Sequence, residues 1–377
     1  MFFYTPNTTI KNFLKRKKIA FIIPSLKAGG AERVVTTLSN QLIKEFDVLI
    51  VVLYKCKPFY TLNPKIQVVF CKDIYTSNPS FFQSITNHFT LFGRSKKVIL
   101  KENIDVVIGF TTIANIYSVI IAKLLRIPSI ISERIHPQFS DISNFWIKIR
   151  RIIYPQTDVL VIQTLDIKNY FTKFIKEDKI KIINNPLAEE LVEQRNLQTT
   201  KKNQIICVGR LDEQKNQELL IRAFANIERG KWKLLLIGAG DKHNFYKKLV
   251  NTLDLNESVI FIGNVKDISK YYNSAKIFVL PSNYEGFPNA LIEAMYYGLS
   301  CIATNCPSGP SEIINHGENG FLIPVKDQLL LEKKLSLLIH NTDLQIQFKD
   351  KAIESTTIFE AEFIANKWRE LIYKFSQ

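Results

Sequence analysis

Three features of the sequence predict an α/β protein built from two doubly wound parallel-sheet domains. Short β-branched runs alternate with helical periodicity along nearly the whole chain, as parallel strands covered by helices on both faces require. A polar stretch ending in LQTTKKNQ interrupts that alternation, which then restarts. At 377 residues, 46% hydrophobic and 23% charged, the chain can fill two cores of ordinary size.

The elements follow in order. KKIAFIIPS reads as a strand, AERVVTTLSNQLIKEF as a helix and DVLIVVLY as the next strand, a complete βαβ unit. Further strands fall at IDVVIGF, SIISER, DVLVIQT and KIKIINNP. The run from Val106 to Leu125 approaches the roughly 20 apolar residues of a membrane span. Gly109, Thr111, Thr112 and Asn115 divide it into a strand and a helix, so a buried βα unit is expected instead. Residues 1–190 form the N-terminal domain and 191–204 the linker. Residues 205–357 form the second domain, with strands at QIICVGRL, KWKLLLIGAG, VIFIGNV, KIFVLPS and SCIATNC. A last helix, within 358–377, is free to pack back on the first domain. Two such domains set their strand C-termini across a cleft, where open α/β sheets bind ligands.

Charge is unevenly distributed. Of the net +15, residues 1–190 carry 27 Lys/Arg against 14 Asp/Glu, and the rest carry 23 against 21. The N-terminal half therefore faces something anionic: nucleic acid, phospholipid or a phosphorylated substrate. Lys11 to Lys18 and Lys148-Ile149-Arg150-Arg151 are the candidate contacts with an anionic membrane. A nucleic-acid-binding protein would explain the charge, but no recognition motif accompanies it. Five cysteines without a CxxC pair and five scattered histidines indicate a reducing compartment and no metal site. The basic run Lys15-Arg16-Lys17-Lys18 precedes only about seven apolar residues, too few for a secretory signal. A cytoplasmic protein is expected, in peripheral contact with the inner face of the membrane.

Three motifs carry chemistry. After the first strand, Gly29-Gly30 opens a helix; such a turn bares backbone N–H groups to an anion, and is equally the shape of a plain tight turn. It is not a GxGxxG fingerprint, so a dinucleotide oxidoreductase is not indicated. In VGRLDEQKN, Arg210 and Lys215 follow a strand end; they can clamp a diphosphate or pair with Asp212 and Glu213. In SNYEGFPNALIEAM, Pro288 starts a helix that Gly298 ends, with the N–H groups of Gly286, Phe287, Asn289 and Ala290 near its N-terminus. Glu285 then lies in the loop before that helix and Glu293 in its second turn. Glu293 can accept two hydroxyls of a ribose diol, or the pair can be a helix cap and a buried ion pair. Residues 290–304 hold no Lys or Arg, so the expected partners are ligand hydroxyls or a cation from a distant part of the chain.

Taken together, GGAER, GRL…KN, EGFPNALIEAM and CPSGPSEIINHGENGFLIP, in this order, resemble the retaining glycosyltransferases of family 4, which adopt the GT-B fold. The resemblance runs from Lys18 to about Pro324. It implies that Glu293 binds the ribose of a nucleotide-diphosphate sugar and that Glu285 binds the transferred sugar. Backbone from Gly286 through Phe287, Pro288 and Asn289 would help hold sugar and phosphate. Arg210, Lys215 and the Gly29-Gly30 turn would neutralise the diphosphate, and Asn264-Val265 would lie beside the base, usually uracil. It implies no cofactor and no metal, and front-face transfer in which the leaving phosphate takes the acceptor's proton. Many relatives carry a His after the strand matching SIISER; here Ser132-Glu133-Arg134-Ile135-His136 puts Arg at that spot, so Arg134 or His136 faces the sugar. The resemblance leans toward enzymes that move a hexose or N-acetylhexosamine from a UDP-sugar to a polyprenyl-diphosphate-linked glycan, lipopolysaccharide or capsule precursor. A nucleotide-sugar epimerase of the same architecture is the rival.

Overall fold

The computed structural model describes residues 16–73, 75, 80–139 and 142–375. The first sheet comprises β1 (Lys18–Ile23), β2 (Asp47–Tyr54), β3 (Gln67–Lys72), β4 (Val106–Phe110), β5 (Ser129–Ser132), β6 (Val159–Ile162) and β7 (Ile180–Ile182). Its spatial order is β3-β2-β1-β4-β5-β6-β7, with parallel pairing throughout. The second comprises β8 (Gln204–Val208), β9 (Lys233–Ile237), β10 (Val259–Gly263), β11 (Ile277–Leu280), β12 (Ser300–Thr304) and β13 (Phe321–Ile323). Its order, β10-β9-β8-β11-β12-β13, is also parallel. Helices cover both faces, so β1, β4 and β11 bury nearly every side chain and read as unbroken apolar runs.

Both orders reverse direction once, between β1 and β4 and between β8 and β11. The crevice at such a switch point is where doubly wound sheets bind ligands. The residues just beyond these strands are Pro24, Thr111, Gly209-Arg210 and Ser282 to Glu285, so the topology alone brings the GRL and EGF motifs side by side.

The run Val106–Leu125 divides into β4 and the helix Thr112–Leu125, and among the described residues no helix is long and apolar enough to cross a membrane. Two strands, β3 and β13, and the helix Phe81–Lys101 were not among the sequence-based expectations. β3 is a half-exposed edge strand without the unbroken apolar run of the inner strands, and β13 has only three residues, little room for periodicity. The helix did carry a readable signal: Ser80 and Gln83 form a reciprocal capping box.

The polar stretch after β7 is anchored to the second half. Leu187, Ala188 and Leu191 belong to the core around the helix Asn289–Tyr296, the Tyr297 hydroxyl donates to the Leu191 carbonyl at 2.7 Å, and Arg195 lies over the Tyr296 ring. The C-terminal helix Ala361–Phe375 crosses back to the first sheet. Ile364, Trp368, Leu371 and Ile372 share a core with β1, β2 and β4, and Trp368 stacks on Phe110. Arg369 pins the helix laterally to Glu45 at 3.0 Å. Trp368→Ala should therefore cost about 3–5 kcal/mol, read as a drop in the urea midpoint; a shift worth under about 1 kcal/mol would show this helix to be an accessory.

The basic segments need correction. Arg150 is fully buried: its guanidinium donates to the Tyr170 hydroxyl at 3.0 Å, lies over the Tyr170 and Phe171 rings, and faces the Glu133 charge. It cannot touch a membrane, because helical periodicity turns it inward while Lys148 and Arg151 stay outside. Arg16 donates to the Ile43 carbonyl at the C-cap of the helix Gly30–Leu42 at 2.5 Å and to the Phe46 carbonyl at 2.8 Å, and Lys18 donates to the Glu102 carbonyl at 3.3 Å. Residues 11–15 lie outside the described residues.

Candidate active site

Two cavities open between the sheets. The larger, about 510 Å³, is lined by Arg134, His136, Arg210, Glu285, Gly286 and Phe287 among others. The smaller, about 240 Å³, is lined by Arg33, Tyr60, Gly209, Arg210, Asn264, Val265 and Glu293 among others. Among the described residues Arg210 alone lines both.

The helix of the EGF motif runs Asn289–Tyr296, with Pro288 at its N-cap and Gly298 beyond its end in the left-handed region. Its entry loop is braced by the SGP turn. The Ser308 hydroxyl donates to the Gly286 carbonyl at 3.0 Å and exchanges a hydrogen bond with Thr164 of the first half at 2.7 Å. Gly309 adopts φ 112°, and a side chain there would collide with Pro288. Gly286 is small for another reason: a Cβ would sit 2.8 Å from the Arg134 carbonyl oxygen, across the cleft.

Glu285 is buried, and its Oε1 accepts from Lys215 Nζ and from the Ser282 hydroxyl, each at 2.6 Å. Glu293 is equally buried; Oε1 accepts from Arg33 Nη1 at 2.6 Å and Oε2 from the Tyr272 hydroxyl at 3.0 Å. Burial and then the Glu293 charge hold the Tyr272 phenol well above its ordinary value, so it stays a donor. Both carboxylates thus have protein cations, brought from distant parts of the chain, where ligand hydroxyls were the favoured partners. A carboxylate has about four lone-pair sites, and the contacts above occupy two on each, leaving capacity for a ligand. Arg33, the third residue after the Gly29-Gly30 pair, was missed; the signal was the lone cation in the GGAER motif.

Arg210 is largely exposed, its Nε 3.2 Å from Asp212 and its Nη2 donating to Gln214 at 2.9 Å. Gln214 in turn donates to the Tyr284 carbonyl, so the GRL and EGF loops are laced together. Asn289 accepts from Asn185 at 2.9 Å, and a Cβ on Gly30 would be in contact with Asn289. Gly29 lies beneath the Glu32 carboxylate, which occupies the helix N-terminus, and neither glycine lines the two cavities. Pro288, Asn289 and Ala290 likewise sit behind the cavity walls that Gly286 and Phe287 form.

Arg134 and His136 both line the larger cavity. Both His136 nitrogens are engaged, Nδ1 by the Gln138 N–H and Nε2 by Asp166 at 3.1 Å; burial lowers its pKa against the pull of Asp166. The Arg134 guanidinium bonds Asn185 and lies over Phe110, while its Nε and Nη2 are buried without a hydrogen-bond partner among the described residues. Burial brings it down to about 9, so it remains charged at neutral pH. Glu133 beside it was not singled out. Burial raises its pKa, and it accepts from Tyr154 at 2.8 Å and Thr112 at 3.1 Å.

Comparison with known proteins agrees with this arrangement. Residues 28–191 match the family model Glycosyltransferase Family 4, and residues 189–355 match Glycosyl transferases group 1. The chain is a family 4 glycosyltransferase. Among relatives of this glycosyltransferase is a Campylobacter jejuni GalNAc-alpha-(1->4)-GalNAc-alpha-(1->3)-diNAcBac-PP-undecaprenol alpha-1,4-N-acetyl-D-galactosaminyltransferase, 29% identical over 94% of this chain and 98% of that protein. The amylovoran biosynthesis glycosyltransferase AmsD of Erwinia amylovora is 26% identical over 94% and 99%. In fold the glycosyltransferase matches Anabaena HepE solved in complex with UDP, with a TM-score of 0.76 and 18% identity, covering 95% of this chain and 100% of that one. That likeness establishes the GT-B architecture.

Proposed function

We propose that this glycosyltransferase transfers an N-acetylhexosamine or hexose from a UDP-sugar to a hydroxyl of a polyprenyl-diphosphate-linked saccharide, retaining the anomeric configuration. The observation that carries the reading is the position of Arg210 between two cavities, one holding Glu285 and the other Glu293. A nucleotide sugar has that layout: sugar, diphosphate, nucleoside. Uridine would lie against Asn264 and Val265 with its ribose on Glu293, the diphosphate beside Arg210 and Lys215, and the sugar on Glu285. The bond from C1 to the diphosphate oxygen breaks, the acceptor oxygen bonds C1, and its proton passes to the departing phosphate. Arg210 and Lys215 serve the charge that grows on that phosphate. The two Campylobacter jejuni relatives named as N-acetylgalactosaminyltransferases on undecaprenol-linked acceptors favour an N-acetylhexosamine donor here.

The acceptor side belongs to residues 1–190, the donor side to 205–357, joined by 191–204, with the helix Ala361–Phe375 returning to the first half. Peripheral contact with an anionic membrane fits the exposed Phe82, Phe89, Phe145 and Ile152 on the helices Phe81–Lys101 and Asn144–Ile153. Incubation with a panel of UDP-sugars and polyprenyl-diphosphate saccharides should add one sugar by mass, with UDP released in equal amount. Turnover only of GDP- or dTDP-linked donors, or product of inverted anomeric configuration, would refute the proposal.

A further inference from the structure

We propose that the cavity between the end of β2 and the helix Phe81–Lys101 is a subsite for one pyranose ring of the acceptor saccharide. This deepens, and rests on, the reading of the protein as a transferase acting on a glycan. The cavity measures about 410 Å³ and shares two wall residues, Pro24 and Ile113, with the larger cavity where transfer would occur. A saccharide held there would extend toward Glu285 and the reacting centre. The volume falls within the ~300–1,000 Å³ typical of small-molecule sites.

The chemistry of its walls suits a sugar. A pyranose offers an apolar C–H face and a rim of hydroxyls, so its complement is an aromatic surface edged with neutral hydrogen-bonding groups. Tyr54 and Tyr75 meet edge to face, with centroids 5.1 Å apart and planes at 85°, forming an aromatic corner. Asn87 supplies the edge. Its Nδ2 donates to the Tyr54 hydroxyl at 2.8 Å and its Oδ1 accepts from Lys72 at 2.7 Å, which fixes the amide and leaves one N–H and the Tyr54 O–H to give. His88 is held through Nδ1 by the Tyr117 hydroxyl at 2.6 Å, leaving Nε2 for a ligand. Burial lowers the His88 pKa, so the ring is neutral at pH 7. Of the cations on the rim, Lys55 is paired with Asp73 at 3.4 Å and Lys27 is exposed. The inner wall thus presents hydroxyl, amide and imidazole, which matches sugar hydroxyls and an acetamido group better than a phosphate.

The test is saturation-transfer NMR of p-nitrophenyl N-acetyl-α-galactosaminide on the full chain, with and without UDP, alongside calorimetry of UDP itself. Saturation should reach the sugar-ring protons of the glycoside. Asn87→Trp, which fills the cavity, should abolish it, and Tyr54→Phe should weaken it about 3–10-fold, the worth of one neutral hydrogen bond. UDP affinity should stay within about twofold in both variants, since neither residue lines the nucleotide cavity. Should Asn87→Trp not fold, Tyr54→Phe decides, because it keeps the ring and removes one hydroxyl. Glycoside binding undiminished in a folded variant, or absent in the wild type, overturns the subsite. Absence of UDP binding instead overturns the donor assignment, while the glycoside signal still decides the subsite.

Discussion

Arg210→Ala is expected to lower kcat about 10²–10³-fold, the usual cost of removing one preorganised charge-stabilising donor. The expectation rests on where the side chain stands. It forms the wall common to both cavities, the place a diphosphate must cross if nucleoside and sugar occupy the two. Its own anchors, Asp212 and Gln214, are contacts of a largely exposed side chain, and such surface pairs contribute only about 0–1 kcal/mol. The loss should therefore fall on turnover, with thermal stability unchanged. Arg210→Lys should recover part of the rate, since it restores charge without the two-pronged geometry. The measurement is UDP release at saturating donor; a kcat within twofold of wild type would remove Arg210 from the diphosphate site.

The second large effect concerns Glu293→Ala. If Glu293 accepts both ribose hydroxyls, two charge-assisted hydrogen bonds disappear, each worth about 1.5–3 kcal/mol, and the Kd for UDP should rise by at least about 10²-fold. A second consequence comes from Arg33, whose side chain is only 21% exposed and whose ion pair is Glu293 at 2.6 Å. Breaking a buried pair from one side costs about 3–5 kcal/mol, so the free protein should also lose stability. The two effects can be separated. Arg33→Ala with Glu293→Ala should regain stability relative to the single carboxylate variant, because no buried charge is left unpaired, while UDP affinity stays low. Calorimetry of UDP and a denaturant titration of the four proteins complete the cycle. Wild-type UDP affinity in Glu293→Ala would refute the ribose assignment.

Much of the fold was legible because it depends on local patterning. The parallel strands buried on both faces, the βα turn at Gly29-Gly30 and the division of Val106–Leu125 all leave marks within a few residues. The three-residue β13 is too short to show a period, and the edge strand β3 is half-exposed and lacks the unbroken apolar run of the inner strands, so neither was legible. Arg150 shows the opposite failure. A basic run looks like a surface, yet one residue in it faces inward because the helix Asn144–Ile153 turns it toward Tyr170 and Glu133.

The site divides in the same way. Glu285, Glu293, Arg210 and Lys215 stand in motifs that the sequence displays by itself, because each motif is a strand end, a turn and a helix start in one short segment. Their partners are different. Arg33 reaches Glu293 across 260 residues, Lys215 reaches Glu285 across 70, and Ser308 meets Thr164 across 144. No periodicity or spacing records such a contact, since it is set by the reversal of strand order in each sheet and by the docking of one half on the other. The sequence determined two parallel α/β sheets and displayed the residues proposed to bind a nucleotide sugar. Only the tertiary structure decided which cation meets which carboxylate, because that choice is made by distance across the cleft and not along the chain.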